Sequence, residues 1–240
     1  MTAIPLALIG LGKMGRILEQ LAPEHGFQVV ARIGRAPTGG GVISRETLNG
    51  AAVAIEFTTP ASAVDNVRAC MAAGCPIVVG TTGWYEALPA LRDEIAGRKG
   101  AMLTAPNFSL GVAVFDRVVA EAARLFASVP GFDAHLIEIH HSAKQDAPSG
   151  TAAVLAATAA SARGGLVPIT SVRTGSVPGT HELIFDAPFE QVRLTHETRD
   201  RRVFAEGALV AARWLVGRQG VYTMQDVIAA STSTPHPRQR

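Results

Sequence analysis

The sequence has 240 residues, of which 48% are hydrophobic and 18% are charged, and its formal net charge is +2 at pH 7. This composition excludes a disordered chain, and the small net charge without a long Lys/Arg stripe excludes nucleic acid as a partner. The two cysteines, Cys70 and Cys75, are too few for a disulfide scaffold, so we expect reduced thiols in a cytoplasmic protein. No apolar run reaches the roughly 18 residues of a membrane helix, so no membrane partner is expected.

The first third of the chain alternates between short apolar segments and helical patterns. In the first helical pattern, Met14, Ile17, Leu18 and Leu21 recur at intervals of three or four residues. Alternation of strands and helices at this spacing predicts a doubly wound parallel sheet. The predicted strands are 4–10, 27–33, 51–57, 76–80 and 101–105, and the predicted helices are 13–22, 61–74 and 85–97.

After about residue 107 the pattern changes to a mixture of helices and consecutive strands. Three strand-like segments, 168–174, 180–187 and 190–198, follow one another without an intervening helix, which predicts that they are antiparallel neighbours. The fold class is therefore α/β, with a second α+β domain built on a mixed or antiparallel sheet. The other elements predicted in this part are a strand at 133–141 and helices at 111–127, 149–162, 201–216 and 223–230.

A glycine-rich turn, GLGKMG, lies between the first strand and the first helix. Its G-x-G-x-x-G spacing, in this context, is typical of dinucleotide-binding sheets of the Rossmann type, in which glycines allow the backbone to approach the pyrophosphate. The N-terminus of the following helix favours the phosphate charge. The alternative is a turn with a purely structural role. The candidate cofactor-binding residues here are Gly10, Leu11, Gly12, Lys13, Met14 and Gly15.

The end of the second strand bears on the choice between NADPH and NADH. Dinucleotide-binding sheets usually have an acid there that binds the ribose hydroxyls, but this chain has Arg32 and Arg35. An arginine can pair with the 2′-phosphate, so we expect NADPH to be accepted. Alternatively, both arginines are solvated surface residues.

Polar loops follow three other strands of the predicted parallel sheet, at the edge where such sheets bind ligands. These loops are FTTP (57–60), GTTG (80–83) and APNFSLG (105–111). Each one alone could be an ordinary turn. Their small and hydroxyl-bearing residues suit the ribose, amide and pyrophosphate groups of a cofactor.

The segment EIHHSAKQDAPSGTA (138–152) concentrates groups suited to anions and to proton transfer. On a strand, His140 and His141 point to opposite faces, and His140 shares a face with Glu138, which could orient its ring. No third ligand lies at zinc spacing and Lys144 would repel a cation, so no metal site is expected.

The second half of this segment predicts a carboxylate site at a helix start. Ser149 is a natural N-cap, and the backbone N–H groups of Gly150 and Thr151 lie at the positive end of the helix. Opposite a nicotinamide, such a pocket would reduce an anionic substrate. The alternative is a capped helix beside surface histidines.

The segment closely resembles the signature of the 4-hydroxy-tetrahydrodipicolinate reductase family, also called dihydrodipicolinate reductase, of the diaminopimelate route to lysine. The family pattern E-x-H-H-x-x-K-x-D-x-P-S-G-T-A is matched at every fixed position. The resemblance covers nearly the whole chain, and the remaining family motifs occur in the same order. These are KMGR, FTTP, GTTG, APNFSLGV and RTGSVPGTHELIF (173–185).

The resemblance implies a role for each matching residue. It implies that His140 is the acid/base residue, that Lys144 donates a proton, and that NADPH or NADH is the cofactor. It further implies that the substrate is a small cyclic dicarboxylate held by His141, Gly150 and Thr151. Ser149, the predicted N-cap beside them, is also expected to be a substrate-binding residue. The implied cofactor contacts outside the glycine turn are Arg35, Thr58, Gly80, Thr81, Thr82, Ala105, Pro106, Asn107 and Phe108.

The family also implies the domain organisation and the assembly. The cofactor domain would be 1–106, completed by 217–240, and the substrate and oligomerisation domain would be 107–216 of a homotetramer. The chain departs from many members in having the tighter G-x-G-x-x-G spacing and in having Gly34 where they have an acid. Two alternatives remain at this point. One is another NAD(P)-dependent dicarboxylate oxidoreductase such as an aspartate dehydrogenase, and the other is a non-catalytic dinucleotide sensor.

Overall fold

The computed structural model describes residues 2–34 and 41–232. They form two compact units, and unit 2 is inserted into unit 1 along the chain. Unit 1 combines Met1–Phe108 with Phe204–Arg240, and unit 2 is Ser109–Val203. The strands, numbered in chain order, are β1 (Ile4–Ile9), β2 (Phe27–Ile33), β3 (Val53–Glu56), β4 (Ile77–Val79), β5 (Ala101–Thr104), β6 (Asp133–His140), β7 (Ile169–Arg173), β8 (Thr180–Ala187), β9 (Glu190–Glu197) and β10 (Gly220–Tyr222).

Within residues 2–34 and 41–232, seven α-helices connect and cover these strands, and a 3₁₀ turn, Tyr85–Ala87, precedes the third. None of the helices in the described part of the chain is long and apolar enough to cross a membrane. The helices are α1 (Lys13–Leu21), α2 (Pro60–Ala73), α3 (Leu88–Gly97), α4 (Leu110–Ala127), α5 (Gly150–Arg163), α6 (Arg202–Leu215) and α7 (Met224–Thr232).

Unit 1 is built on a six-stranded parallel sheet with the order β10-β5-β4-β3-β1-β2. Every residue of β3, β4 and β5 is buried, because these strands lie in the interior of the sheet and both of their faces are covered. The predicted doubly wound parallel sheet is confirmed. The edge strand β10 was not predicted, since Gly220–Tyr222 begins with glycine and is only partly buried, so it is not a continuous apolar run like β4.

Unit 2 is built on a mixed four-stranded sheet with the order β7-β6-β8-β9. The prediction that β7, β8 and β9 are antiparallel neighbours is wrong for β7, which pairs in parallel with β6. Helix α5 joins β6 to β7. A helical connection of this kind allows the second strand to run in the same direction as the first, beside it in the sheet. Strands β8 and β9 are antiparallel neighbours, as predicted, and β8 is also antiparallel to β6.

The core of unit 2 lies between one face of this sheet and the helices α4 and α5. Val119 from α4 and Leu155 from α5 are buried in one cluster with Leu136 of β6. Buried and partly exposed residues alternate along β6, so Glu138 and His140 share the face of Leu136. The buried face therefore changes from apolar to polar toward the carboxyl end of β6.

Helix α6 belongs to unit 1 from Phe204 onward, whereas the sequence boundaries placed 107–216 in the second domain. The reason is close packing, because a Cβ at Gly207 would lie 1.7 Å from the carbonyl oxygen of Phe108. Arg213 also donates a hydrogen bond to the carbonyl of His25 and lies over the ring of Phe27. The helix therefore packs on the first part of the chain.

This packing predicts that Gly207→Ala destabilises the protein. The added methyl group would meet backbone, which cannot rotate away, so we expect a loss of about 1–3 kcal/mol in the free energy of unfolding. Urea titration followed by circular dichroism measures the loss. Gly97→Ala at the end of α3 is the control, since no described residue has an atom within 4 Å of a Cβ there. Equal stabilities of the two variants would contradict the prediction.

Candidate active site

The glycine turn of unit 1 packs tightly at two glycines and is open at the third. Gly10 has a φ of +94°, and a Cβ there would lie 2.0 Å from the carbonyl oxygen of Phe57. A Cβ at Gly15 would lie 2.1 Å from the carbonyl oxygen of Gly10, but no atom of the residues that the structure describes lies within 4 Å of a Cβ at Gly12. Gly12 precedes α1 without a side-chain cap, so the helix start can accept a phosphate. Leu11, Lys13 and Met14 lie on the same turn.

Phe57 connects the glycine turn with two other loops at the carboxyl edge of the sheet. A Cβ at Gly80 would lie 2.1 Å from the Phe57 ring, so only glycine fits beside it. The ring also contacts Phe108 edge to face at a centroid distance of 6.1 Å. Ala105 and Phe108 are buried, while Pro106 is exposed and Asn107 is partly exposed. The structure therefore brings together the loops that sequence analysis had selected.

A buried carboxylate that sequence analysis missed joins two of these loops. Glu56 is fully buried, and its Oε1 accepts a hydrogen bond from the Thr81 hydroxyl at 3.0 Å and another from the Thr58 hydroxyl. Thr81 Oγ1 in turn accepts from the backbone N–H of Thr58 at 2.7 Å. Thr82, by contrast, is exposed in its loop. The acid was hidden inside an apolar strand, the place where a carboxylate is least expected.

Of the two arginines considered for the ribose 2′-phosphate, Arg32 and Arg35, the structure describes Arg32. Arg32 forms an ion pair with Glu19 of α1, with 2.6 Å between Nε and Oε1, and both side chains are partly exposed. Arg32 therefore already has an acidic partner. Arg35 lies outside the described residues.

Unit 2 places His140 at the carboxyl end of β6 in contact with a buried carboxylate. The imidazole Nδ1 contacts Oε2 of Glu138, and the two residues are 8% and 0% exposed. The other oxygen, Oε1, accepts from Arg173 at 2.6 Å and from the backbone N–H of Ser149 at 3.3 Å. Burial alone would raise the pKa of Glu138, but hydrogen bonds from Arg173 and Ser171 lower it to about 2. Glu138 is therefore ionised at neutral pH.

His140 is one of two buried imidazoles at this position. Burial lowers its pKa, Glu138 opposes this effect, and the cations Lys144 and Arg173 add to it. The second imidazole, His181 of β8, lies edge to face at 5.3 Å, and its Nε2 is 3.3 Å from Ser149 Oγ. Burial lowers the pKa of His181 to about 4, so this ring is neutral at pH 7.

The loop after β6 carries the other charged groups of the segment. The strand ends at His140, so the predicted opposite orientation of His141 within the strand does not apply. His141 Nε2 lies 3.1 Å from the guanidinium of Arg201. Lys144 Nζ donates to both carboxylate oxygens of Asp146, at 2.7 and 2.9 Å. Lys144 and His141 therefore lie in the loop that leads to α5, and Arg201, from the segment before α6, contacts this loop through His141.

Helix α5 begins as the sequence predicts. Ser149 Oγ accepts from the backbone N–H of Ala152 at 3.2 Å, which makes Ser149 the N-cap. Gly150 is exposed, whereas Ser149 and Thr151 are buried. The positive end of the α5 dipole therefore lies beside the carboxylate that contacts His140.

A metal site was not expected because the sequence offers no third ligand at zinc spacing. The fold nevertheless brings His181 to Glu138 and His140, with one ligand atom of each within 4.8 Å of the others. The guanidinium of Arg173 binds the same carboxylate at 2.6 Å, so a metal ion would have to share that carboxylate with a fixed cation. The arrangement fits an imidazole–carboxylate pair for proton transfer better than a cation site.

Several residues of this cluster were not predicted as site residues. Arg173 and His181 begin and end the run RTGSVPGTH, which was recognised only as a motif. Arg201 carried no signal, because an arginine among charged neighbours looks like solvated surface. All three reach the cluster through strand pairing or a loop contact that the sequence pattern does not specify.

Comparisons with known proteins agree on one family. The family model described as "Dihydrodipicolinate reductase, N-terminus" matches residues 4–108, and that described as "Dihydrodipicolinate reductase, C-terminus" matches residues 111–228. The 4-hydroxy-tetrahydrodipicolinate reductase of Xanthomonas euvesicatoria is 41% identical over 90% of this chain and 94% of its own. The reductase of Christiangramia forsetii is 32% identical over 93% and 97%. A dipicolinate-bound dihydrodipicolinate reductase from Paenisporosarcina sp. TG-14 shares the fold, with a TM-score of 0.77, 22% identity and coverage of 92% and 98%.

Proposed function

The chain belongs to the dihydrodipicolinate reductase family, and from this membership we propose that it reduces 4-hydroxy-tetrahydrodipicolinate to tetrahydrodipicolinate with NAD(P)H. This step belongs to the diaminopimelate route to lysine. The observation that carries the proposal is the contact of His140 with buried Glu138, beside the start of α5. Neither an aspartate dehydrogenase nor a dinucleotide sensor is favoured, because the relatives that match nearly the whole chain are named as the reductase.

The substrate of this proposal is a small cyclic dicarboxylate. Two carboxylates account for a loop that presents His141 and Lys144 next to the helix start at Ser149, Gly150 and Thr151. Helix N-termini and ammonium groups both favour anions. The structural neighbour from Paenisporosarcina is named as binding dipicolinate, which is itself a cyclic dicarboxylate.

His140 supplies the proton in this proposal. A nicotinamide cofactor, when bound, supplies the hydride to the substrate ring. Because Nδ1 of His140 faces Glu138, Nε2 is the nitrogen left to deliver a proton, directly or through water. Glu138 stabilises the charged imidazole before transfer, and Lys144 lies close enough to act on its charge. The hydride, this proton and loss of the 4-hydroxyl group as water account for the product.

The proposed cofactor site is the carboxyl edge of the unit 1 sheet. The open space at Gly12 and the uncapped start of α1 fit a pyrophosphate. The loops after β3, β4 and β5 surround the same edge and would contact the ribose and nicotinamide. The residues proposed for these contacts are Gly10, Leu11, Gly12, Lys13, Met14, Gly15, Arg35, Thr58, Gly80, Thr81, Thr82, Ala105, Pro106, Asn107 and Phe108.

A coupled assay tests the function directly. The upstream synthase generates the substrate in the cuvette, and oxidation of NADH and of NADPH is followed at 340 nm in parallel reactions. We expect oxidation that depends on the synthase and on this protein. A dinucleotide sensor would bind the cofactor without oxidising it, and that result would refute the proposal.

We expect both cofactors to be used, with NADPH favoured. Gly34 replaces the acid that would repel the 2′-phosphate, and Arg35 follows it in a glycine-rich stretch of the sequence. A charge-assisted pair with a partly shielded phosphate contributes about 1.5–3 kcal/mol. Arg35→Ala should therefore raise the KM for NADPH more than the KM for NADH.

Steady-state kinetics with each cofactor, at low and high salt, measure this preference. Arg92→Ala is the matched control, because Arg92 is an exposed arginine of unit 1 on α3. Added salt should weaken NADPH binding more than NADH binding. A wild-type protein that prefers NADH at low ionic strength would refute the preference and leave the reductase proposal standing.

We further propose that the protein is a homotetramer in the cytoplasm, built through the unit 2 sheet. In unit 2, α4 and α5 cover one face of that sheet, and Ile137, Ile139 and Val172 on the opposite face remain partly exposed. Sheet-to-sheet contact between copies would bury them. Both cysteines are buried and unbridged, which supports a reducing compartment. Light scattering coupled to size exclusion tests the assembly, and a monomer would refute it.

A further inference from the structure

We propose that Glu138 is a positioning residue that couples the proton donor His140 to the carboxylate-binding start of α5, an inference that rests on the proposed function. One fully buried carboxylate contacts both groups, through Oε2 to the imidazole Nδ1 and through Oε1 to the backbone N–H of Ser149. Arg173 holds the same Oε1 at 2.6 Å. A shift of this single side chain therefore displaces the ring and the helix start together.

The contact between Glu138 and His140 also determines which imidazole nitrogen can transfer a proton to the substrate. Because Nδ1 is directed at the Glu138 carboxylate, the proton on Nδ1 stays between His140 and Glu138. Nε2 is then the nitrogen that can exchange a proton with the substrate or with water. The backbone at Gly179 keeps space beside that nitrogen, since a Cβ there would lie 3.0 Å from Nε2. Glu138 thus orients the ring from the Nδ1 side, and Gly179 leaves room on the Nε2 side.

Among the residues that the structure describes, four charged or titratable groups face His140. Glu138 lies on the same strand, Arg173 on β7, His181 on β8 and Lys144 in the loop after β6. Of these four, only Glu138 carries negative charge. Removing its charge leaves the buried imidazole beside two cations and a neutral ring, so the charged imidazole loses its stabilising partner.

Replacing Arg173 should shift the pKa of His140 in the direction opposite to the shift that replacing Glu138 causes. Its guanidinium neutralises part of the Glu138 carboxylate and repels a protonated His140. Glu138→Gln should therefore lower the pKa of His140, whereas Arg173→Gln should raise it. A nonspecific disturbance of the fold would not produce two opposite shifts.

The experiment is a histidine titration of the full-length protein by NMR. The protein carries ¹³C label at histidine Cε1, and the His140 resonance is assigned with His140→Gln. The variants Glu138→Gln, Arg173→Gln and Glu182→Gln are compared with wild type, and each is first checked for folding by circular dichroism. Glu182 is the matched control, because it lies on β8, pairs in register with Ile137 and binds Arg193, away from His140.

The pH profile of kcat/KM is measured on the same variants. In Glu138→Gln we expect the alkaline fall to move to lower pH, with kcat/KM at pH 8 reduced about tenfold or more and a smaller loss at pH 6. The KM for NAD(P)H should not change. In Arg173→Gln the alkaline fall of kcat/KM should move to higher pH. The pH profile of Glu182→Gln should match that of wild type.

The outcomes separate the coupling from the proposed function. An unchanged His140 titration in Glu138→Gln, or shifts of the same sign in both variants, would overturn the coupling. If Glu138→Gln does not fold, Arg173→Gln is the deciding variant. A His140 pKa that does not rise in Arg173→Gln then overturns the coupling. Opposite pKa shifts in the two variants, together with a wild-type protein that lacks reductase activity, would support the coupling and refute the proposed function.

Discussion

Replacing His140 with Gln should lower kcat by about 10²-fold or more, the usual contribution of a positioned acid or base. Gln preserves much of the volume and can still accept or donate a hydrogen bond, but it cannot exchange a proton with the substrate. The binding of cofactor should persist, because the glycine turn and the surrounding loops belong to unit 1. Single-turnover measurements at saturating NADPH give the rate of the chemical step.

His135→Gln is the control for this substitution. His135 lies on the same strand as His140, is only partly buried, and has its Nε2 2.7 Å from Thr170 Oγ1. Its removal should leave kcat close to that of wild type. An unchanged rate in His140→Gln would show that the proton comes from another group.

Replacing Lys144 with Ala should reduce both kcat and substrate affinity, by about 2–4 kcal/mol in kcat/KM. The ammonium group is only partly exposed and is held by both carboxylate oxygens of Asp146. Its loss leaves the substrate carboxylate without a cation and Asp146 without its partner. Asp146 would then add repulsion toward an anionic substrate.

Steady-state kinetics with varied substrate and varied cofactor separate the two effects. Arg124→Ala on α4 is the matched control, because it removes an exposed cation of unit 2 that is paired with Glu121. A change confined to the KM of the cofactor would place Lys144 in another role. An equal loss in the control would indicate a general effect of net charge.

The elements of unit 1 were predictable because buried parallel strands are continuous apolar runs. Strand β2 was predicted with its observed bounds, and β3, β4 and β5 lie within one or two residues of theirs. Strand order in unit 2 was not predictable in the same way. Period-two alternation identifies a strand and its buried face but contains nothing about which edge a strand joins, so β7 was assigned the wrong neighbour.

The candidate site shows the same division between local and long-range information. The pairing of His140 with Glu138 follows from alternation along one strand, and the Ser149 cap follows from local helix chemistry, so both were anticipated. Arg173 and His181 enter the cluster through pairing with β6, which depends on the whole fold. Glu56 was missed because its strand reads as core.

Insertion of unit 2 into unit 1 determines the order in which the two sheets can be completed during synthesis. Unit 2 is one continuous segment, Ser109–Val203, so all its strands are translated before α6 begins its main part at Phe204. Unit 1 must wait for Gly220 of β10 to pair with Ala101 of β5. Until then β5 presents an open edge to other nascent chains, and closure over so long a separation is slow. The last strand to be translated is therefore the one that protects the cofactor-binding sheet from aggregation.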